Sequence, residues 1–263
     1  MGGMKALVLR CAFAAMERAK AIMAGILVIG GANGLGGEIA AAFAEGGDRV
    51  LLVDQCPVPA GIAPGVDFLR LDLAAADTGA RAAAEAAGLF AGIDGVVIAA
   101  AAMESAPIAQ WTVAMWDQAA AINLRLPFLV TQAAQPWLAQ SGNGSVTIVS
   151  STATMRGQPF THAYQATKAG VAGLVRSLAA ELGPEGIRVN AVLAGWLDTP
   201  LTRAYWDGVE DAAAQRAQVD GRIPLRRHGT AGEAAALVRF LASGAASYLT
   251  GAMLPVDGGD TAV

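Results

Sequence analysis

The stretch THAYQATKAG (161–170) contains a tyrosine and a lysine at a spacing that permits proton transfer. Tyr164 and Lys168 are four residues apart, so on a helix their side chains share a face. A phenol with a pKa of about 10 is a poor base at neutral pH, whereas a nearby ammonium favours its ionised form. The pair is therefore either an acid–base device or a core aromatic beside a surface lysine, and spacing alone does not decide between them.

A glycine-rich turn follows the first apolar run of the chain. In VIGGANGLGGEIA, the residues Gly30, Gly34 and Gly36 separate an apolar segment from a helical one. Glycines let the backbone approach a pyrophosphate, and the following helix N-terminus favours its negative charge. The G-x-x-x-G-x-G spacing differs from the common G-x-G-x-x-G fingerprint, but three glycines exceed what a simple turn needs. We predict a dinucleotide-binding turn here, with Asn33 and Leu35 among its contacts.

Asp54 ends the second apolar run, RVLLVD. An acid about 20 residues past such a turn can accept hydrogen bonds from the adenosine ribose hydroxyls, and it repels a 2′-phosphate. Asp54 therefore predicts NAD rather than NADP. Asp72, which ends the next predicted strand, could bind the adenine amino group, although a loop cap explains it almost as well. Leu73 beside it is included in the predicted cofactor site.

These residues lie in a regular alternation of apolar runs and helical segments. Predicted strands cover 25–30, 49–54, 66–73, 94–101, 144–150, 187–195 and 252–259, and predicted helices cover 36–47, 75–91, 115–139, 161–182, 201–219 and 230–242. The runs are continuously apolar, which is typical of strands buried on both faces of a parallel sheet. We expect one α/β domain over 24–263, a Rossmann-like doubly wound parallel sheet of about seven strands with helices on both faces.

Composition excludes several other classes of protein. The chain has 263 residues, is 54% hydrophobic and 15% charged, and carries a net charge of −4 without a basic patch, so nucleic-acid binding is not expected. Its apolar runs are shorter than the roughly 20 residues that span a bilayer. Cys11 and Cys56 fit a reducing cytoplasm. The histidines are isolated and no C-x-x-C occurs, so a metal site is not expected.

Residues 1–23 are predicted to be a separate extension, helical or flexible. Charged residues such as Arg10 and Glu17 interrupt its apolar stretch, and no clean cleavage site follows, so an export signal is not expected. The sequence assigns this extension no function.

Taken together, the motifs resemble the short-chain dehydrogenase/reductase family, from about residue 24 to the C-terminus. They are the glycine turn, Asp54, Asn123, Ser151, Tyr164-x-x-x-Lys168 and the ending LTGAMLPVDGG. The resemblance implies a single-domain oxidoreductase that transfers a hydride between NAD(H) and a secondary alcohol or ketone. It also implies a homotetramer, with helices 115–139 and 161–182 as the expected contact faces.

The resemblance further implies roles for individual residues. Tyr164 would be the general acid/base, Ser151 would hold the substrate oxygen, and Lys168 would bind the nicotinamide ribose and lower the pKa of the tyrosine. Asn123 would support a water that passes protons to Lys168, and Thr199 would contact the nicotinamide carboxamide. The other implied cofactor contacts are Ala99, Ala100, Gly195 and Leu197.

Three positions depart from the family's pattern. Ile29 replaces a threonine before the first glycine, and Ala194 replaces a proline before Gly195. The segment Ile98-Ala99-Ala100-Ala101 replaces the family's Asn-x-Ala-Gly. The last change removes a polar side chain that normally braces the centre of the sheet, so we expect weaker local bracing there.

The substrate is expected to lie under a lid formed by residues 200–226. Candidate walls of its pocket are Met103, Met155, His162, Trp196 and Trp206. Such a lining suits a cyclic or moderately hydrophobic alcohol, and Arg156 and Arg203 are the only nearby cations that the sequence suggests. One alternative is a 3-oxoacyl-thioester reductase, which usually uses NADP. Another is a non-catalytic dinucleotide sensor, which would tend to lose the tyrosine or the lysine.

Overall fold

A computed structural model describes residues 24–263, and the predicted extension at 1–23 lies outside them. The strands are β1 (Gly25–Ile29), β2 (Arg49–Asp54), β3 (Val66–Arg70), β4 (Gly95–Ile98), β5 (Ser145–Ser151), β6 (Arg188–Ala194) and β7 (Met253–Val256). They form one parallel sheet of seven strands in the order β3-β2-β1-β4-β5-β6-β7. The order reverses between β1 and β4, and doubly wound sheets bind ligands beyond the carboxyl ends of their strands at such a point.

Helices cover both faces of this sheet. They are α1 (Leu35–Glu45), α2 (Thr78–Phe90), α3 (Val113–Ala120), α4 (Leu126–Ser141), α5 (His162–Leu182), α6 (Pro200–Asp207), α7 (Ala212–Arg222) and α8 (Ala231–Ala242). One buried apolar cluster joins the sheet to α2, α4 and α5, and a second joins it to α1 and α8. The predicted doubly wound α/β domain with a seven-stranded parallel sheet is confirmed.

The first strand illustrates why continuous apolar runs suit this fold. Every residue of β1 is buried. Successive side chains of a strand point to opposite faces. Leu27 and Ile29 accordingly belong to the cluster on one face, while Ile26 and Val28 belong to the cluster on the other. Both faces of the strand therefore need apolar side chains, and an alternating polar pattern could not satisfy them.

The predicted helix at 115–139 is interrupted just before Pro127. Residues Ala121–Arg125 form a π-helical segment between α3 and α4, and Asn123 lies within it. Pro127 follows in the first turn of α4, where its missing N–H leaves no hydrogen bond unmade. Such π-helical insertions are frequent at functional sites, which supports a functional role for Asn123.

Other predicted boundaries also change. The expected helix at 201–219 is two helices, because Asp211 adopts a left-handed conformation (φ 51°) and caps the start of α7. The strands at 66–73, 94–101 and 252–259 each end three residues earlier than predicted, at Arg70, Ile98 and Val256. The residues released from β3 and β4 become loops at the edge where ligands bind.

Candidate active site

A cavity of about 700 Å³ opens beside the glycine turn and the carboxyl ends of the central strands. Thirteen residues of the predicted catalytic and cofactor sets line it: Asn33, Gly34, Leu35, Asp54, Leu73, Ala99, Ala100, Ser151, Tyr164, Lys168, Gly195, Leu197 and Thr199. Three of the predicted substrate walls, Met103, Trp196 and Trp206, line it as well. Residues distant in the sequence therefore meet around one ligand-sized space.

Two predicted substrate walls lie elsewhere. The side chain of Met155 is not part of the cavity wall, and the residue is 56% exposed. His162 packs edge-on against Trp111, with 5.7 Å between the ring centroids. Both belong to segments that flank the site, and the structure does not bring them into the cavity.

The glycine turn brings the start of α1 to the cavity through close backbone packing. Gly30 has a φ of +79°, and a Cβ atom there would lie 2.5 Å from the Cα of Ala100. A Cβ on Gly36 would lie 1.9 Å from the carbonyl oxygen of Gly30. These two glycines shape the turn, and Gly34 forms part of the wall. The turn and the helix N-terminus together fit the pyrophosphate of a dinucleotide.

Asp54 holds the glycine turn and also faces the cavity. Its Oδ2 accepts a hydrogen bond from the Ala32 N–H at 2.9 Å, and its Oδ1 accepts one from the Cys56 N–H at 3.0 Å. The residue is only 6% exposed. Each carboxylate oxygen can accept further hydrogen bonds, so Asp54 fits a ribose whose hydroxyls would act as donors.

Asp72 has a different role from its proposed contact with adenine. It is exposed in the loop after β3, outside the cavity wall, and its Oδ1 accepts a hydrogen bond from the Ala74 N–H at 2.9 Å. The structure therefore shows the loop cap that the sequence offered as an alternative. Leu73, which is buried, does line the cavity.

Tyr164 and Ser151 form the polar centre of the cavity. Tyr164 lies on α5, and its phenol is close enough to Ser151 at the end of β5 for the two hydroxyls to interact. The Ser151 Oγ also accepts a hydrogen bond from the Ala153 N–H at 3.1 Å, which orients the hydroxyl. Burial raises the pKa of Tyr164 above its usual value, and the interaction with Ser151 opposes this only in part. The protein groups alone therefore raise this pKa, and the lowering by Lys168 that the resemblance implies stays a prediction.

Lys168 is buried one helical turn after Tyr164. Its Nζ lies 5.9 Å from the centroid of the tyrosine ring. It donates hydrogen bonds to the carbonyl oxygens of Val149 at 2.8 Å and Ala100 at 3.4 Å. Burial lowers the pKa of its ammonium to about 8. An ammonium has three donors, so two main-chain carbonyls orient the group and one N–H is left for a ligand.

The side chain of Asn123 is engaged within the protein. Its Oδ1 accepts from the Ala102 N–H at 2.8 Å, and its Nδ2 donates to the Ala102 carbonyl at 2.9 Å and to the Thr167 Oγ1 at 3.1 Å. Both N–H groups of the amide are thus used, which leaves none to donate to the expected relay water. The side chain instead fixes the loop after β4, where the sequence suggested that bracing is weaker.

The loop after β6 also lines the cavity, and Pro200 at its end lies close to Gly34 of the glycine turn. A Cβ on Gly195 would lie 2.7 Å from the Cα of Asp257, so only glycine fits there. Leu197 pairs with Gly229 in an isolated parallel bridge. The Thr199 side chain accepts from the Thr202 N–H and caps α6. Thr199 therefore has a structural role as well as a place in the wall.

Aromatic side chains hold α6 against this loop. Trp196 stacks on Trp206 with 5.1 Å between the ring centroids, and it meets Tyr205 at 5.5 Å. His228 packs beside both tryptophans, and its Nδ1 is 2.6 Å from an oxygen of Asp220 on α7. Trp196, Tyr205 and Trp206 all line the cavity. They give its outer part a flat apolar wall.

Sequence reasoning missed most of the charged groups in this outer part. Arg156, Arg222 and Asp260 line the cavity, whereas the predicted Arg203 does not. Asp260 pairs with both arginines, at 3.2 Å from the Nη1 of Arg156 and 2.8 Å from the Nε of Arg222. Gln215, Gln218 and Tyr205 were also missed. The first two lie on α7, which the sequence did not separate from α6.

The residues that line the cavity indicate which class of reaction it can support. Within the described range 24–263, no cluster of three potential metal-ligating side chains occurs. The same residues include no helix with the length and apolar character needed to cross a bilayer. A cavity lined by the glycine turn and by a buried tyrosine, lysine and serine defines a Rossmann-like oxidoreductase.

Comparison with known proteins agrees with this class. A family model described as enoyl-(acyl carrier protein) reductase matches residues 30–261. The chain is 33% identical over 246 residues to a probable galactose dehydrogenase of Rhizobium meliloti, covering 89% of this chain and 94% of that protein. It is 36% identical over 245 residues to the cis-4-hydroxycyclohexanecarboxylate dehydrogenase of Sinomonas cyclohexanicum, covering 90% and 96%.

A solved protein structure is also similar to this chain over most of its length. The TT0495 protein from Thermus thermophilus superposes with a TM-score of 0.84 at 31% identity, covering 91% of this chain and 99% of that one. The chain therefore belongs to the short-chain dehydrogenase/reductase family.

Proposed function

We propose that the chain transfers a hydride between NAD(H) and a secondary alcohol or ketone, with Tyr164 as the general acid/base. One observation carries this proposal: a single cavity brings the Tyr164 phenol beside Ser151 and also holds the Lys168 ammonium. When bound, the nicotinamide supplies the hydride acceptor or donor. Relatives named for galactose and for a hydroxycyclohexane acid support an alcohol substrate.

The residues of this chain would handle the proton and the substrate oxygen. Ser151 would donate a hydrogen bond to that oxygen, where charge changes during the reaction. Tyr164 would accept the hydroxyl proton during oxidation and return it during reduction. With a pKa of about 8, Lys168 is about nine-tenths protonated at pH 7. Its charge beside the ring would favour the ionised phenol whenever Tyr164 gives up its proton.

Replacing Tyr164 by phenylalanine tests this proposal. The variant keeps the ring and loses the hydroxyl, so turnover should fall at least about 10²–10⁴-fold while the dissociation constant for NAD stays nearly unchanged. Turnover would be followed as NAD reduction with secondary alcohols, cyclic diols and sugars, and cofactor binding by calorimetry. Retention of near wild-type turnover would remove Tyr164 from the mechanism.

We propose NAD rather than NADP because the Asp54 carboxylate faces the cavity beside the glycine turn. Asp54→Ala should lower the dissociation constant for NADP relative to that for NAD, because it removes the charge that repels a 2′-phosphate. Asp72→Ala is the matched control, since Asp72 is an exposed acid outside the cavity wall. A wild-type preference for NADP would contradict this assignment.

A second candidate, reduction of a 3-oxoacyl thioester, is supported by a relative in Thermotoga maritima that is named 3-oxoacyl-[acyl-carrier-protein] reductase and is 33% identical over 241 residues. Reduction of an acetoacetyl thioester with NADH and NADPH tests it directly. Efficient thioester reduction together with no oxidation of any alcohol in the panel would favour this candidate.

We also propose a cytoplasmic homotetramer with residues 200–226 as its substrate lid. Exposed apolar side chains on α3 and α4 support assembly: Val113 is 76%, Trp116 45% and Phe128 41% exposed. Exposed apolar groups of this size in one region are typical of protein interfaces. Light scattering during size-exclusion chromatography would give the mass, and a monomer at micromolar concentration would contradict the proposal.

A further inference from the structure

We infer that the substrate is a cyclic hydroxy acid whose carboxylate is held by Arg156 and Arg222 in the outer part of the cavity. This inference rests on the proposed function, because it names the substrate class of the same site. Both arginines line the same cavity as Tyr164 and Ser151.

The two arginines surround one buried acid. Asp260 is 2% exposed, and its Oδ1 accepts from the Nη1 of Arg156 at 3.2 Å and from the Nε of Arg222 at 2.8 Å. The Nη2 of Arg222 donates to the other oxygen of Asp260 at 3.2 Å. One guanidinium is enough to neutralise a carboxylate. Asp257 also lies in the field of Arg156, so two acids balance the two arginines at this end of the cavity. The inference therefore depends on the guanidinium donors that these acids leave free.

Both guanidiniums retain donors beyond these pairs. A guanidinium has five N–H groups. Among residues 24–263, Arg222 makes hydrogen bonds only to Asp260, through Nε and Nη2. Within the same range, Arg156 bonds only to Asp260 and to the main-chain oxygen of Val263, through Nη1 and Nη2. N–H groups of both guanidiniums thus remain free to bind an anion that lies near both arginines.

The chain fixes Arg156 relative to the reacting groups. It immediately follows the 3₁₀ turn Thr152–Met155, which begins directly after Ser151. The Gln165 side-chain amide, oriented to satisfy its neighbours, donates to the carbonyl oxygens of Ala153 at 2.8 Å and Arg156 at 3.1 Å. Because Gln165 is the residue after Tyr164, this amide ties the arginine segment to the helix of the general acid/base.

Arg222 adds the contribution of the lid. It is the last residue of α7, so its pair with Asp260 joins the lid to the segment after β7. A substrate carboxylate between Arg156 and Arg222 would strengthen that contact. Closure of the lid would then depend on the charge of the ligand.

The rest of the outer wall indicates what connects the carboxylate to the reacting hydroxyl. Trp196, Tyr205, Trp206 and Met103 line the cavity with apolar surface. A flat apolar wall suits a saturated ring better than a polyhydroxylated chain. The free donors of two guanidiniums suit the two oxygens of a carboxylate. A carboxylate adds one negative charge to this end of the cavity, whereas a phosphate monoester adds about −1.5 to −2 at pH 7. A ring that bears one hydroxyl and one carboxylate satisfies these features.

The competing explanation is that both arginines only neutralise Asp260 and fasten the lid. In that case their loss would affect charged and uncharged substrates equally. The two explanations therefore differ in the ratio of kcat/KM for a carboxylate and for its uncharged isostere.

The experiment compares cis-4-hydroxycyclohexanecarboxylate with the corresponding carboxamide, using NAD and the full chain. The wild type should prefer the carboxylate by about tenfold or more in kcat/KM, the usual effect of a charge-assisted hydrogen bond. Arg156→Gln and Arg222→Gln should each reduce this ratio by about tenfold. Arg203→Gln is the matched control, because it removes an exposed arginine of the lid outside the cavity wall, and the ratio should not change. The phosphate monoester of 1,4-cyclohexanediol should be a poorer substrate than the carboxylate.

Binding to the Tyr164→Phe variant separates this inference from the proposed function. Calorimetry with NAD present should detect the carboxylate, and Arg222→Gln in the same background should weaken its binding by about tenfold. Arginine-dependent binding without turnover of any alcohol by the wild type would leave the inference standing and refute the proposed function. Equal kcat/KM for carboxylate and carboxamide in the wild type would overturn the inference and leave the proposed function intact. Equal losses on both substrates in the arginine variants, or preference for the phosphate ester, would also overturn it.

Discussion

The stability of the folded chain should increase at alkaline pH because of Lys168. Burial lowers the pKa of this ammonium from 10.5 to about 8. Below pH 8 the group is charged in the folded and unfolded states, and its burial is a constant cost. Between pH 8 and 10.5 the folded protein releases the proton while the unfolded chain keeps it. The unfolded state then binds more protons, so the free energy of unfolding rises with pH.

The size of this effect follows from the two pKa values. The lowering from 10.5 to about 8 corresponds to about 3 kcal/mol once both states are deprotonated, of which about 2 kcal/mol should appear between pH 7 and pH 9.5. Burial raises the pKa of Tyr164, so this phenol would reduce stability only above pH 10, where the unfolded chain ionises. Measurements up to pH 9.5 therefore avoid the titration of the tyrosine.

Urea unfolding of the wild type and of Lys168→Met at both pH values measures the effect. Methionine has a similar length and cannot titrate, so the wild type should gain about 2 kcal/mol relative to the variant. Lys168 is the only lysine between residues 24 and 263, so no other ammonium in the described range contributes. Burial also raises the pKa of the Cys56 thiol, and this contribution cancels because both proteins contain it. If the difference between wild type and variant is the same at pH 7 and pH 9.5, the lysine does not have a lowered pKa.

Two further predictions concern stability. Asn123→Ala should reduce the free energy of unfolding by about 2–3 kcal/mol, because it removes three hydrogen bonds, including those to the N–H and the carbonyl of Ala102. The control is Asn143→Ala, which changes an exposed asparagine. Urea unfolding should show a difference of at least about 1.5 kcal/mol between the two variants. Arg188→Met should cost about 2–4 kcal/mol, because the buried guanidinium donates to three carbonyls at and after the end of α8. The exposed Arg176→Met should cost less than about 0.5 kcal/mol, and equal costs for the two arginines would contradict the capping role.

The sheet could be predicted from the sequence because burial on both faces leaves a strong local signal. All five residues of β1 and all seven of β5 are buried, and neither strand contains a charged side chain. The cavity residues at strand ends followed from this, since parallel strands place their carboxyl ends at one edge. Ser151 and Tyr164 meet because one ends β5 and the other lies in the first turn of α5.

The outer part of the site left no comparable signal. Arg156 and Asp260 are 104 residues apart, and Arg222 and Asp260 are 38 apart. Their pairing depends on how the lid and the segment after β7 lie over the sheet, which no local spacing encodes. The division of the lid depends on one residue, Asp211, in a left-handed conformation. Aspartate tolerates that conformation better than most residues, but its presence alone does not predict it.

The segment Ile98-Ala99-Ala100-Ala101 after β4 can lack a polar side chain because it contributes to the site through its backbone. The carbonyl of Ala100 accepts a hydrogen bond from Lys168, and the Cα of Ala100 lies so close to Gly30 that Gly30 could not carry a Cβ atom. What the site needs there is a small residue and a fixed peptide. Asn123 supplies the second requirement by bonding both the N–H and the carbonyl of Ala102 from the π-helical segment. Asn123 in the π-helical segment thus braces the loop after β4, and the site depends on this asparagine rather than on the side chains of the alanine segment.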